Sequence, residues 1–156
     1  MRPRSRVYRG VGFILTPLVK NFISCQMSEV KYKPSEEWFK LTRHGLEKAE
    51  AVFKAERYIY TVFMCHLSIE KALKGLYAKC FEKDPIKTHD LNYLCDIIGL
   101  NLSEEHQIFL DSLNDISVPV RYPDDIKKIV SIYKKSRTER ILNESKELLK
   151  WLRKKL

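Results

Sequence analysis

The segment from Tyr58 to Phe81 constrains the fold more than any other part of the sequence. Apolar residues recur in it at helical spacing along its whole length, and Gly75 is its one glycine. Its apolar face is wide and leaves little of the circumference for water. The residues on it are Val62, Leu67 (or alternatively Cys65), Ile69, Leu73, Leu76 and Cys80, extended by Phe63, Ala72 and Tyr77. This pattern predicts a central, mostly buried helix.

Three polar residues interrupt the apolar surface of this segment at intervals of four. Because His66, Glu70 and Lys74 are one helical turn apart, their side chains form one row. Glu70 precedes Lys74 in the orientation that favours an ion pair. The row is either the solvated face of the helix, where charges usually lie, or part of a polar site. Two later segments, residues 88–91 and 121–124, favour the site.

Composition predicts one all-helical domain. A chain of 156 residues that is 44% hydrophobic and 31% charged suits a single domain with its own core. Few glycines (5) and prolines (6), with abundant Lys, Glu, Leu and Ile, favour helices. The net charge of +9 is concentrated at the ends: residues 1–26 have five basic and no acidic residues, and residues 134–156 have nine basic and three acidic. The body of the chain therefore has no basic character.

The cysteines argue against a metal site. Cys25, Cys65, Cys80 and Cys95 are far apart, with no C-x-x-C pair and no Cys/His cluster at ligand spacing. Three of them lie among apolar helical residues, where a free thiol behaves as a small hydrophobic group. No Gly-rich phosphate loop is present either. We therefore expect no metal, no cofactor and a reducing, cytoplasmic location.

Residues 1–26 differ from the rest of the chain. Arginines precede an apolar run, residues 11–19, that is too short to span a bilayer. A signal peptide is the alternative interpretation, but Pro17 interrupts the run and Lys20 ends it. We predict that residues 1–26 are a disordered or over-annotated extension, that the folded domain covers residues 27–156, and that the protein does not enter a membrane.

Other helices are predicted from caps and apolar periodicity. Ser35 is predicted to cap a first helix over about residues 36–55, and a turn at residues 56–57 makes it an antiparallel hairpin with the central helix. Thr88 is predicted to cap a third helix from His89 to Ile98, which Gly99 ends.

The second half of the chain adds two helices and a loop. Ser103 is predicted to cap a fourth helix. Pro119 and Pro123 then bracket residues 120–122, which are predicted to form a rigid loop. The last helix runs to the terminus, with an apolar side that consists of Ile141, Leu142, Leu148, Leu149 and Leu152.

Three segments, taken together, resemble the motifs of a known family. They are Ser68-Ile69-Glu70-Lys71-Ala72-Leu73-Lys74, Thr88-His89-Asp90-Leu91 and Arg121-Tyr122-Pro123-Asp124. With the first and last helices, residues 34–153 resemble a HEPN domain, the higher-eukaryote and prokaryote nucleotide-binding family. The resemblance implies an up-and-down antiparallel bundle, here of about five helices, and a homodimer. It also implies a separately encoded small nucleotidyltransferase partner, in some cases as a toxin–antitoxin module.

The residues that we expect to bind nucleotide, RNA or substrate come from these motifs and from the polar row of the central helix: His66, Glu70, Lys74, His89, Arg121, Tyr122 and Asp124. The guanidinium of Arg121 is expected to pair with Glu70 or with a ligand phosphate. His89 follows a Thr at a helix start, where free N–H groups favour anions. Structural roles, as a fold-fixing ion pair or a helix cap, stay open for the same residues.

One motif of the family's ribonucleases is missing. Those members have an Arg followed by four to six residues and then a His, and none of the four histidines here follows an Arg at that interval. The sequence therefore predicts a binding protein with no catalytic residues. The alternative is a metal-independent ribonuclease toxin with an atypical site built from His66, His89 and Arg121.

Overall fold

The computed structural model describes residues 32–121 and 126–156. Over these residues the chain is a helical bundle without strands, which confirms the predicted all-α class, and it has six helices where the sequence predicts about five. The helices are α1 (Ser35–Lys54), α2 (Tyr58–Phe81), α3 (Leu91–Ile98), α4 (Glu104–Arg121), α5 (Ile126–Ile132) and α6 (Lys135–Arg153). None of the helices in these two stretches has both the length and the hydropathy that a membrane span requires. The predicted extension, residues 1–26, lies outside the described residues.

Helix α2 is the centre of the bundle, as predicted, and it contacts each of the other five helices. Its core positions are filled by residues such as Val62, Cys65 and Ile69, which are at most 1% exposed. The core position predicted for Leu67 is occupied by Cys65, the alternative, and Leu67 is half-buried. Cys80 is exposed in the last turn, so the buried face ends before the helix does.

Helices α1 and α2 form the predicted antiparallel hairpin, and two glycines let them approach closely. A Cβ atom on Gly45 would lie 2.5 Å from Ser68 Oγ. A Cβ on Gly75 would lie 2.8 Å from the ring of Phe39 and 3.0 Å from the Cβ of Trp38. Distances under about 3 Å are well inside van der Waals contact, so a side chain at either position would push the helices apart.

The start of α1 corrects one predicted cap. Ser35 is not the N-cap but the first helical residue, and it is buried. Pro34 is the N-cap: it has an extended backbone, and its carbonyl oxygen accepts hydrogen bonds from the N–H groups of Glu37 at 3.1 Å and Trp38 at 3.4 Å. Proline suits this position because it has no N–H of its own to satisfy.

The start of α3 corrects a second cap. The helix begins at Leu91, not at His89, and Asp90 is its N-cap. The carboxylate of Asp90 accepts the N–H of Tyr93 at 3.1 Å, while the hydroxyl of Thr88 accepts the N–H of Asp90 at 3.1 Å. A carboxylate at this position is stabilised by the helix dipole as well as by the hydrogen bond. Gly99 ends the helix with a φ of +71°, as predicted.

Helix α4 corrects the predicted proline-bracketed loop. Ser103 precedes it as predicted, and its hydroxyl accepts the N–H of His106 at 3.3 Å. The helix continues through Pro119 to Arg121, where the sequence predicts a loop. The φ angle that the proline ring imposes is itself helical, and in the last turn the missing N–H costs one hydrogen bond only. Tyr122 and Asp124 lie outside the described residues.

Candidate functional site

The row of polar residues on α2 is buried. His66 is 1% exposed and Glu70 is 5% exposed, so the interpretation of the row as a solvated face is wrong. One oxygen of the Glu70 carboxylate accepts a hydrogen bond from Lys74 Nζ at 2.7 Å, and the other is 2.9 Å from Nδ1 of His89. Glu70, Lys74 and His89 are called the Glu70 cluster below.

The two partners of Glu70 differ in exposure. The side chain of Lys74 is 12% exposed and that of His89 is 65% exposed. The carboxylate therefore lies beneath the surface, with one nearly buried cation and one largely exposed imidazole. A ligand in solvent meets the imidazole first, because it is the most exposed member of the cluster.

The electrostatics of the Glu70 cluster favour an ionised carboxylate. Burial alone raises the pKa of Glu70, but the hydrogen bonds from Lys74 and His89, together with their positive charges, outweigh it and lower the pKa below its ordinary value. Glu70 is therefore an acceptor at neutral pH, so Nδ1 of His89 donates. In the neutral imidazole this leaves a lone pair on Nε2, and in the protonated imidazole it leaves a second N–H donor.

The position of His89 is fixed by its neighbours in the chain. Asp90 caps α3 and accepts a hydrogen bond from Nδ2 of Asn114 in α4 at 3.2 Å. The N–H of Leu91 donates to Oδ1 of Asn114 at 3.1 Å, and the Leu91 side chain is fully buried. Three of the four residues in the Thr88–Leu91 motif are therefore structural, and they hold the fourth, His89, against Glu70.

The polar contacts between α3 and α4 were not predicted from the sequence. In addition to Asn114, Asp111 of α4 accepts hydrogen bonds at 2.8 Å from Asn92 and at 2.8 Å from Gln107, and Gln107 also donates to Asn92 at 3.3 Å. Gln107, Asp111 and Asn114 fall on one side of a helix at i, i+4 and i+7, and that spacing was the available signal.

The remaining predicted site residues stand as follows. His66 is buried in the same row, one turn before Glu70. Arg121 is the last residue of α4, and the structure does not describe its side chain. Tyr122 and Asp124 lie outside the described residues. The structure thus brings together Glu70, Lys74 and His89, while the participation of Arg121, Tyr122 and Asp124 stays a prediction.

The chemistry of the Glu70 cluster suits anions and protons. Lys74 and His89 can contact a phosphate or carboxylate, and a carboxylate that orients an imidazole is a common device for proton transfer. Among the described residues, no three His, Cys, Asp or Glu side chains are grouped so that they could hold a metal ion.

Comparisons with known proteins give one family. The model of the HEPN domain family matches residues 35–155. Two solved structures are similar in fold. TT1696 from Thermus thermophilus has 23% identity and a TM-score of 0.68, over 78% of this chain and 98% of that one. ST0689, an archaeal HEPN homologue, has 20% identity and a TM-score of 0.57, over 78% and 96%. A search of curated protein sequences found no significant match.

Proposed function

This chain belongs to the HEPN domain family, and on that premise we propose that it is a non-catalytic protein that binds a nucleotide or a nucleotide-bearing substrate. It does so as the helical partner of a separately encoded small nucleotidyltransferase, in a toxin–antitoxin module or a related pair. The observation that carries the proposal is the Glu70 cluster.

The cluster supports anion binding through its arrangement of charge. The ionised Glu70 fixes two nitrogen donors, Nζ of Lys74 at 2.7 Å and Nδ1 of His89 at 2.9 Å, so little side-chain entropy is lost when an anion binds. His89 is the member that reaches solvent, and a phosphate beside it would accept a charge-assisted hydrogen bond from Nε2 of the protonated imidazole. Phosphate is the group that nucleotides and nucleotidyl-transfer substrates share.

The chain offers a matched pair of histidines for the test. His89 pairs with Glu70 at 2.9 Å and is 65% exposed; His44 pairs with Glu47 at 3.7 Å and is 63% exposed, but Glu47 is itself exposed. Calorimetric titration of the full chain with ATP and with AMP should give saturable binding. His89→Ala should weaken that binding about tenfold, or about 1.4 kcal/mol. His44→Ala should leave it unchanged.

Two outcomes would contradict nucleotide binding at this site. One is the absence of heat with either nucleotide up to millimolar concentrations. The other is an equal loss of affinity in the His44 and His89 variants, which would mean that exposed positive charge in general attracts the ligand. Thermal melts of both variants are the control for folding, since both imidazoles are largely exposed.

We propose that the chain is a homodimer. Several large apolar side chains are exposed in the described part of the chain, and such surface is commonly covered by association. They include Tyr60 (61%), Ile108 (61%), Val130 (55%) and Tyr93 (51%). Multi-angle light scattering at micromolar concentration should give twice the monomer mass, and a monomer under those conditions would contradict this part of the proposal. The partner is tested by co-purification with a nucleotidyltransferase encoded beside this chain.

A second function is favoured by the geometry of His89. The ionised Glu70 orients the imidazole from one side, as a general base requires, and this suits a metal-independent ribonuclease. Incubation of the full chain with RNA in EDTA separates the two functions. Cleavage that disappears in His89→Ala would establish the nuclease. Intact RNA would leave binding as the function.

A further inference from the structure

A groove of about 530 Å³ lies between α1 and α6. Its floor is mainly apolar and consists of Phe39, Leu46, Leu149 and Leu156, together with the buried Thr42. Its rim is basic and consists of Lys40, Arg43, Lys146, Lys150 and Arg153. Glu36 is the one acidic side chain that lines it. The groove shares no residue with the Glu70 cluster, so it is a surface separate from the proposed nucleotide site.

The cations of the rim are not equivalent. Lys40, Lys146 and Lys150 each lie 2.6–2.7 Å from a glutamate of this chain. Arg43 and Arg153 are exposed and make no ion pair with any residue that the structure describes. One lies on α1 and the other at the end of α6, so a guanidinium is available on each wall of the groove. Guanidinium groups bind carboxylates with two parallel hydrogen bonds.

Charge and shape together select the occupant. A second copy of the groove would oppose like charges, and so would residues 1–26, which have five basic and no acidic residues. Single-stranded nucleic acid binds on aromatic platforms, whereas this floor is mainly aliphatic and its one aromatic ring, Phe39, is half-buried. An amphipathic helix has the required form: an apolar stripe for the floor and carboxylates along both edges for the arginines.

We propose that this groove docks an acidic amphipathic helix of a partner protein. The lining residues of α1 extend from Glu36 to Leu46. At 1.5 Å per residue this is about 15 Å, enough for roughly three turns of helix. The apolar anchors of the partner would be spaced at i, i+3 or i+4, and i+7, and its glutamates or aspartates would contact Arg43 and Arg153.

The experiment uses a fluorescently labelled, end-capped peptide of about 14 residues, long enough for the groove at 1.5 Å per residue. It has Leu at the anchor spacing and Glu along both edges. A second peptide has Lys in place of every Glu. Fluorescence anisotropy with the full chain should show saturable binding of the acidic peptide, with a dissociation constant in the micromolar range, and none of the basic peptide.

Two double variants separate the groove from general electrostatics. Arg43→Glu with Arg153→Glu should weaken binding of the acidic peptide by at least about tenfold. Lys48→Glu with Lys154→Glu is the matched control. Both lysines are exposed, lie in or next to the same two helices outside the groove, and give the same change in net charge. This control should change the affinity by no more than about twofold, because neither lysine lines the groove and an exposed charge pair contributes little.

Leu156→Ala tests the floor without changing charge. Leu156 is 40% exposed, so its truncation leaves the fold intact and should weaken binding about threefold or more.

The proposal is overturned if the acidic peptide does not saturate up to millimolar concentration, or if both double variants weaken its binding equally. It is also overturned if a single-stranded RNA oligonucleotide binds and loses affinity in the arginine variant only, which would assign the groove to nucleic acid. The peptide results are independent of the ATP titration of His89→Ala, because His89 does not line the groove.

Discussion

Glu70→Gln is the substitution that most directly measures what the buried carboxylate contributes. Glutamine has nearly the same shape, so packing is preserved while one negative charge is removed. Lys74, whose side chain is 12% exposed, then loses the carboxylate that lies 2.7 Å from its ammonium group. The amide oxygen of glutamine can accept a hydrogen bond from only one of the two nitrogens. The side chain of His89 is 65% exposed, so water can replace the hydrogen bond there.

The magnitude follows from these exposures. Breaking one side of a fully buried ion pair costs about 3–5 kcal/mol, and an exposed pair contributes about 0–1 kcal/mol. Lys74 is nearly buried but has a flexible stem that can carry its ammonium group toward water, so we expect a loss of about 2–3 kcal/mol. At about 2.1 cal/mol/K per residue over roughly 125 residues, this corresponds to a Tm lowered by about 8–12 °C.

Urea unfolding at pH 7, followed by circular dichroism, measures this loss. The matched control is Glu147→Gln, since Glu147 also pairs with a lysine, Lys150, at 2.7 Å, but its side chain is 70% exposed. We expect the control to leave the free energy of unfolding almost unchanged, because an exposed pair is screened by solvent. A Glu70→Gln protein as stable as the control would refute the reasoning, because it would show that the pair is solvated or contributes nothing to folding.

The remaining predictions concern packing and thiol reactivity. Gly75→Ala should destabilise the protein by about 1–3 kcal/mol in urea unfolding, although Ala favours helices, because the new Cβ would lie 2.8 Å from the ring of Phe39. Unchanged stability would show that the ring can move aside. Burial raises the pKa of Cys65 to about 11 and that of Cys95 to about 12, so both thiols should resist iodoacetamide in the folded protein. Exposed Cys80 should be alkylated first in peptide mass mapping, and equal labelling of the three would contradict this order.

The sequence predicted the central helix well because its signal is local. The bounds Tyr58–Phe81 follow from apolar residues that recur at helical spacing along the whole segment, and Gly99 ends α3 with a positive φ that glycine adopts without strain. The prediction of Thr88 as the cap of α3 was wrong because Thr88 and Asp90 can both act as caps, and Asp90 is the N-cap. Asp90 has a hydrogen bond from Asn114, 24 residues away, and no local rule includes that contact.

The Glu70 cluster was only partly predictable for the same reason. Periodicity placed His66, Glu70 and Lys74 in one row, but a helix that is apolar on nearly all sides gives no indication of which side reaches water. Burial of the row depends on the packing of other helices, and the second partner of Glu70, His89, is 19 residues away. The motif resemblance indicated this pairing of segments, whereas composition and spacing did not. Pro119 shows the opposite error: the local rule that proline breaks a helix predicted a loop, but the helix continues to Arg121.

The lowered pKa of Glu70 also fixes the sign of a pH effect. An unfolded glutamate titrates near pH 4.3, and the folded value lies below its ordinary value, since Lys74 and His89, the cationic groups in contact with it, outweigh the effect of burial. The folded state therefore binds the proton less tightly than the unfolded state does. Its contribution to stability is complete above the unfolded pKa and is lost as the pH falls through the folded pKa. The stability difference between the native protein and Glu70→Gln should thus shrink as the pH falls below about 4.5. Urea unfolding at each pH measures it, with Glu147→Gln as the exposed comparison. A difference that grows as the pH falls would mean that the carboxyl group is neutral in the folded protein and donates its proton, which would reverse the assignment of His89 Nδ1 as the donor.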